Sequence, residues 1–214
     1  MPAEPKSPRS VDLDLPDPLR VHRGIRPRDD VFGAEVTGLE GEADARHSRI
    51  AESVLDAESV TSIDLTGATL TDVAVTIGTT ALPLRESRLR SVTLTGRRAG
   101  TIDALRSEWD GVHLQGLRID YLSAASSEWS DVIFERCDIG SLDLPQARLH
   151  RVSFIDCRVD EVDTRETRCR DVDLRGLDAV RFTDPKGLSG ATLSADQAVF
   201  HAQEFAVALG IRVR

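Results

Sequence analysis

From Leu82 to Arg181 the chain divides into fives without one insertion, and apolar residues hold fixed places in each five. The central place runs Leu84, Leu89, Leu94, Ala99, Ala104, Trp109, Leu114, Ile119, Ala124, Trp129, Phe134 and Ile139. It continues through Leu144, Leu149, Phe154, Val159, Thr164, Cys169, Leu174 and Ala179. Two positions before each centre the residue is, as a rule, again apolar or small, and the other three places are polar. A helix repeats at about 3.6 residues and would drift out of this phase within two turns. A simple strand alternates at two and could not hold it for so long. A short straight segment followed by a corner, repeated, fits the pattern.

A second period appears when the fives are stacked in rows of four. The places before the centres then sort by size. Leu82, Ile102, Leu122, Leu142 and Val162 form one column; Ser87, Ser107, Ser127, Ala147 and Thr167 form a second; Val92, Val112, Val132, Val152 and Val172 form a third. Four fives therefore make one coil, with the next coil directly above it. The only two tryptophans, Trp109 and Trp129, fall in one inward column of adjacent coils. Their indoles should stack as core, with room supplied by Ala104, Ala124, Ser107 and Ser127.

With "CDIGS", "VDLRG" and "LDLPQ" as its clearest units, the chain resembles the pentapeptide-repeat family, whose unit is commonly written A(D/N)LXX. The resemblance spans residues 82 to 181 and, after a phase slip, residues 63 to 81. It implies an all-β fold, a right-handed quadrilateral β-helix. Residues 43–181 would form about seven coils, a rod roughly 34 Å long at about 4.8 Å per coil. One residue is missing near "TTALP", so that corner should be irregular. Residues 43–62 fit loosely around Ile50, Leu55 and Val60, with Glu58 turned outward.

The flanks read differently. Residues 1–10 are polar and Pro-rich, with no apolar signal core, and are expected to be a flexible tail. Residues 11–42 read as an N-terminal cap and irregular entry, with "VDLDLP" as a short strand and "DDVFGAEVTGLEG" as irregular coil. In the last segment, 182–214, Ser194 and Gln197 form a capping box and Gly210 suits a left-handed stop. This predicts a capping helix over 195–209, its apolar side being Ala198, Val199, Ala202, Phe205, Ala206 and Leu209. Such a helix would cover the open row of backbone groups at the end of the solenoid. Phe200 and Val207 fall on the opposite side, and a two-fold contact with a second copy is the expected use of that strip.

Charge limits the function. The net charge is -9 and the pI about 5.1, which disfavours direct nucleic-acid and anionic-membrane binding. Residues 102–141 hold three basic and eight acidic side chains, while residues 82–101 hold five basic and one acidic. Asp103, Glu108, Asp110, Asp120, Glu128, Asp131 and Glu135 are thus the candidate acidic partner surface. Asp103, Asp143 and Asp163 recur before the centre, either as an acidic ladder or as corner residues bonded to local backbone. The five histidines and three cysteines have no metal-ligand spacing, and no catalytic triad or phosphate loop appears. Cys137 and Cys157 share an inward column and are read as free buried thiols.

The chain is therefore expected to be non-enzymatic, without cofactors or metal, and a soluble cytoplasmic protein. It would act as a rigid protein-binding rod and homodimer. The resemblance implies an alternative: the best understood branch of the family mimics duplex DNA, binds DNA gyrase, and protects it from quinolones or peptide toxins.

Overall fold

The computed structural model describes residues 4–214. The fives fold as short straight segments because buried side chains recur at alternating spacings of two and three, as at Ile102, Ala104, Ser107, Trp109, Val112 and Leu114. Each spacing of three is a corner. Three of the four corners in such a coil are left-handed, for example Arg106, Gly111 and Gly116 in one coil and Ser126, Asp131 and Arg136 in the next. The result is a parallel β-solenoid.

One sheet stacks eight strands from Glu42–Asp44 to Leu177–Phe182. A second, eleven-stranded sheet contains the long bent strands such as Glu108–Gln115 and Glu128–Glu135. The coils number about eight, where seven were expected. The difference lies at the front, where Asp30–Phe32 and Ala34–Thr37 pair in parallel with Arg49–Ala57. Residues read as irregular coil thus add to the solenoid, since Val31, Ala34 and Val36 are all buried, whereas residues 11–16, expected as a short strand, pair with no sheet and the first strand is Arg20–Arg23.

Register follows the column reading. Trp109 lies opposite Trp129 and Val112 opposite Val132. The indoles stack with centroids 4.8 Å apart and planes at 12°. The slip is also real: Leu70 pairs with Leu89 and Val73 with Val92, a step of nineteen. Because Ala57 pairs with Ile77 but Ser62 with Ala81, the missing residue lies between Ile77 and Ala81. That corner is tight. A Cβ on Gly78 would sit 2.3 Å from the Glu58 carbonyl oxygen. Buried Thr79 leaves its hydroxyl unpaired, and Arg97, one coil on, turns outward instead of filling its inward place.

Beyond Phe182 the chain makes a 3-10 turn at Pro185–Leu188 and a two-residue strand. Two short helices follow, α1 (Ala195–Phe200) and α2 (Ala202–Ala208). The Ser194–Gln197 capping box forms, and Gly210 is left-handed with φ 78°. The single helix expected over 195–209 is interrupted at His201, and of its expected apolar side only Phe205 and Ala206 are partly buried. Ala198, Val199, Ala202 and Leu209 are exposed, whereas His201 is buried. The end of a solenoid is an open row of backbone N–H and C=O groups, so polar side chains seal it. Gln197 Nε2 donates to the carbonyls of Leu174 (2.8 Å) and Leu177 (2.7 Å), and His201 packs edge-on against Phe182.

Candidate interaction surfaces

The seven carboxylates of the predicted acidic surface are distributed around the rod. Glu108, Asp110 and Glu128 share one wall; Asp131 sits on the adjoining corner and Glu135 beyond the next wall. Asp103 and Asp120 belong to strands of the other sheet. Each is paired. Arg85 holds Asp103 at 2.5 Å, Arg88 holds Glu108 at 3.2 Å, and Arg98 binds Asp120. Arg148 binds Glu128, and Glu135 meets His113 (3.0 Å) and Arg136 (2.9 Å). Arg9 reaches Asp110 at 2.7 Å.

For Glu108, Glu128 and Asp131, which pair with Arg88, Arg148 and Arg151, the cause is the repeat itself. Coils stack in register, so a charge stands about 4.8 Å from the residue twenty later, within reach of an arginine. Most of these pairs are exposed and worth little in stability, but they cancel the field of residues 102–141.

The densest run of unpaired carboxylates lies before Leu84 and not in residues 102–141. Residues 34–84 contain nine acidic side chains against Arg46 and Arg49, a balance of -7. Arg46 pairs with Asp44 (2.6 Å) and lies 3.9 Å from Asp64. Among the described residues, Glu35, Glu40, Glu42, Glu52, Asp56, Glu58 and Asp72 have no ion-pair partner. Glu52 and Asp72 occupy the same left-handed corner of adjacent coils, with φ 47° and 53°. The same charge count, extended upstream of Leu82, would have found this segment.

Asp131 is the best anchored of the group. Its side chain is fully buried at a left-handed corner. Arg151 donates to it from Nε (2.6 Å) and a terminal nitrogen (2.7 Å). The backbone N–H of Arg9 (3.0 Å) and its Nε (2.6 Å) complete the shell. The Arg151 guanidinium, aided by Arg9, holds this carboxyl well below the usual carboxylate range despite the opposing burial. Of residues 1–10, expected as a flexible tail, residues 4–10 are thus placed against the wall, and residues 1–3 lie outside the described residues. Lys6 N–H donates to Asp171 (3.1 Å) and Glu4 pairs with Arg175 (3.0 Å).

The remaining polar groups have structural roles. Asp103 and Asp163 accept from the N–H two residues on, as do Asp44, Asp64 and Asp173, which is corner chemistry. Cys137, Cys157 and Cys169 are free, and burial pushes the Cys169 thiol up to about 11. Among the described residues, no group of three or more His, Cys, Asp or Glu is placed to hold a metal ion, and no helix is long and apolar enough to cross a membrane.

Phe200 and Val207 stand out from the cap, 70% and 61% exposed. Val199, Leu209, Ile211 and Val213 are also at least half exposed, so the cap presents apolar side chains on more than one side.

No family model matches the chain, and no curated protein matches it. Similar solved structures include two trypsin-treated variants of QnrB1, a plasmid-mediated fluoroquinolone resistance protein. One is 14% identical, over 88% of this chain and 100% of that one, with a TM-score of 0.31. The other is 15% identical, over 90% and 99%, with a TM-score of 0.22.

Proposed function

We propose that the chain is a non-enzymatic solenoid of the pentapeptide-repeat kind that works in the cytoplasm as a rigid protein-binding rod. The observation that carries this reading is the contrast in charge compensation along the rod. Seven of the eight carboxylates of residues 102–141 have an ion-pair partner, whereas seven of the nine between residues 34 and 84 have none among the described residues. Rigid, uncompensated charge steers and selects a partner of opposite sign. Co-purification from the native cell at low and high salt tests it: a partner should be retained at low salt and released by salt. A partner retained equally at both would remove the charge-based reading.

A second reading draws on the same acidic coils, a DNA-like surface for a topoisomerase such as DNA gyrase. Its focus moves from residues 102–141, where arginines cancel the charge, to residues 34–84. A supercoiling assay with and without quinolone tests it, and no protection at protein excess would remove it.

The protein is further proposed to be a homodimer through α1 and α2. Exposed Phe200 and Val207 support this, because apolar patches of this kind mark contact surfaces. Light scattering should give a dimer for the wild type and a folded monomer for Phe200→Glu with Val207→Glu. A monomeric wild type would refute it.

A further inference from the structure

The N-terminal segment runs across the strands, along the rod axis, and takes no part in either sheet. Its spacing matches the coils. Asp171 and Asp131 lie two coils apart, about 9.6 Å, and the three residues from Lys6 to Arg9 span about 10 Å when extended. Pro5, Pro8, Val11, Leu13 and Leu15 are half-buried, while most residues between them are exposed. The segment therefore lies as an extended peptide on the wall, read by carboxylates and not by strand pairing. Beside it opens a groove bordered by Arg9, Asp110, Ser130 and Arg151.

Its attachment is built for exchange. Arg9 is 68% exposed even while its Nε and N–H engage the buried Asp131. Arg151 keeps two bonds to Asp131 from the rod itself, so the carboxylate stays partnered when Arg9 leaves. No ladder of the solenoid breaks on release.

We propose that the edge carrying Asp110, Asp131 and Asp171 is a docking surface for an extended basic segment of a partner protein, held in the free chain by its own residues 4–15. The inference rests on the protein-binding reading above and gives it a second place of contact with defined chemistry. The partner segment would be extended, proline-spaced and arginine-bearing, with the guanidinium between Asp131 and Asp110 and a backbone N–H on Asp171. Its charge is complementary to the edge, and the resident "KSPRS" stretch displays the pattern the edge accepts.

The test uses the full chain and the variant Arg9→Glu, which sets a carboxylate against Asp131 and Asp110. Amide exchange over residues 4–15 should accelerate while the strands stay protected. Fluorescence anisotropy then follows two labelled peptides: residues 4–15 of this chain, and Lys-Ser-Pro-Arg-Ser repeated three times. Both should bind the variant roughly ten-fold more tightly than the wild type, whose edge is occupied, the scale of one charged contact. Binding should weaken with salt and on adding Asp110→Ala. Arg9→Ala, a milder change, should move both readouts in the same direction.

A freed segment with no peptide binding would overturn the proposal, as would residues 4–15 staying protected in both variants. Wild-type chains that dimerise by exchanging this segment, with Arg9→Glu monomeric, would assign the edge to a second copy and overturn it too. Peptide anisotropy reports on this edge alone, whereas recovery of a cellular partner reports on the broader reading, so the two failures are distinguishable.

Discussion

The coils before Leu84 and those after Ile102 share one backbone plan and differ in what they do with charge. From Ile102 to Phe182 the step is twenty and regular. Glu108 finds Arg88, Arg148 finds Glu128, and Arg181 finds Glu161, each one coil away. Before Leu84 the step shortens to nineteen at the Gly78–Thr80 corner, arginines are few, and Glu52, Asp56, Glu58 and Asp72 face outward unpaired. A solenoid in register neutralises its own walls whenever opposite charges share a column. Open charge then remains wherever no opposite charge shares the column.

Substitution can break this comparison at its strongest point first. Val132 is fully buried between Val112 and Val152 in the regular stack. Val132→Asp leaves an unpaired buried carboxylate and should cost roughly 3–5 kcal/mol in chemical denaturation. A variant that unfolds like the wild type would show the valine column is not the core. Asp131→Ala removes charged hydrogen bonds from Arg151 and Arg9 and should cost roughly 2–3 kcal/mol, with residues 4–10 exchanging faster. This carboxyl is depressed in the folded state, so its contribution is complete above the ordinary aspartate range. It should be lost only as pH falls well below about 4, and loss between pH 6 and 5 would contradict the assignment.

Smaller effects sharpen the contrast. Thr79→Val replaces a buried, unpaired hydroxyl in the irregular corner with a methyl group of similar shape. It should stabilise the protein by roughly 1 kcal/mol, whereas the same change at Ser107, whose hydroxyl bonds Ala104 O, should not. Glu128→Gln breaks an exposed pair in the regular coils and should change stability by less than about 1 kcal/mol.

The regular coils were legible in the sequence because their burial repeats. Nineteen of the twenty central residues from Leu84 to Ala179 are buried, with Cys169 the partial exception. The slip near "TTALP" was legible for the same reason, as an interruption of phase. The cap was less so. Hydrophobic spacing selected Val199 and Leu209 as its buried side, but the end of the stack is polar backbone, and Gln197 answers it. Charge totals located an acidic segment at residues 102–141 but not its neutralisation, which depends on neighbours twenty residues away. The wall contact of residues 4–10 left no periodic trace, since a segment lying across the coils repeats with neither helix nor strand.

In the proposed function the unpaired acidic coils carry the partner contact while the paired coils are scaffold. This is tested most directly by the salt-released yield of co-purified partner for two charge-reversed proteins. Glu52→Lys with Asp72→Lys should fold normally and lose the partner. Glu108→Lys with Glu128→Lys should fold and retain it. Equal retention by both, or loss only in the second, would contradict the account.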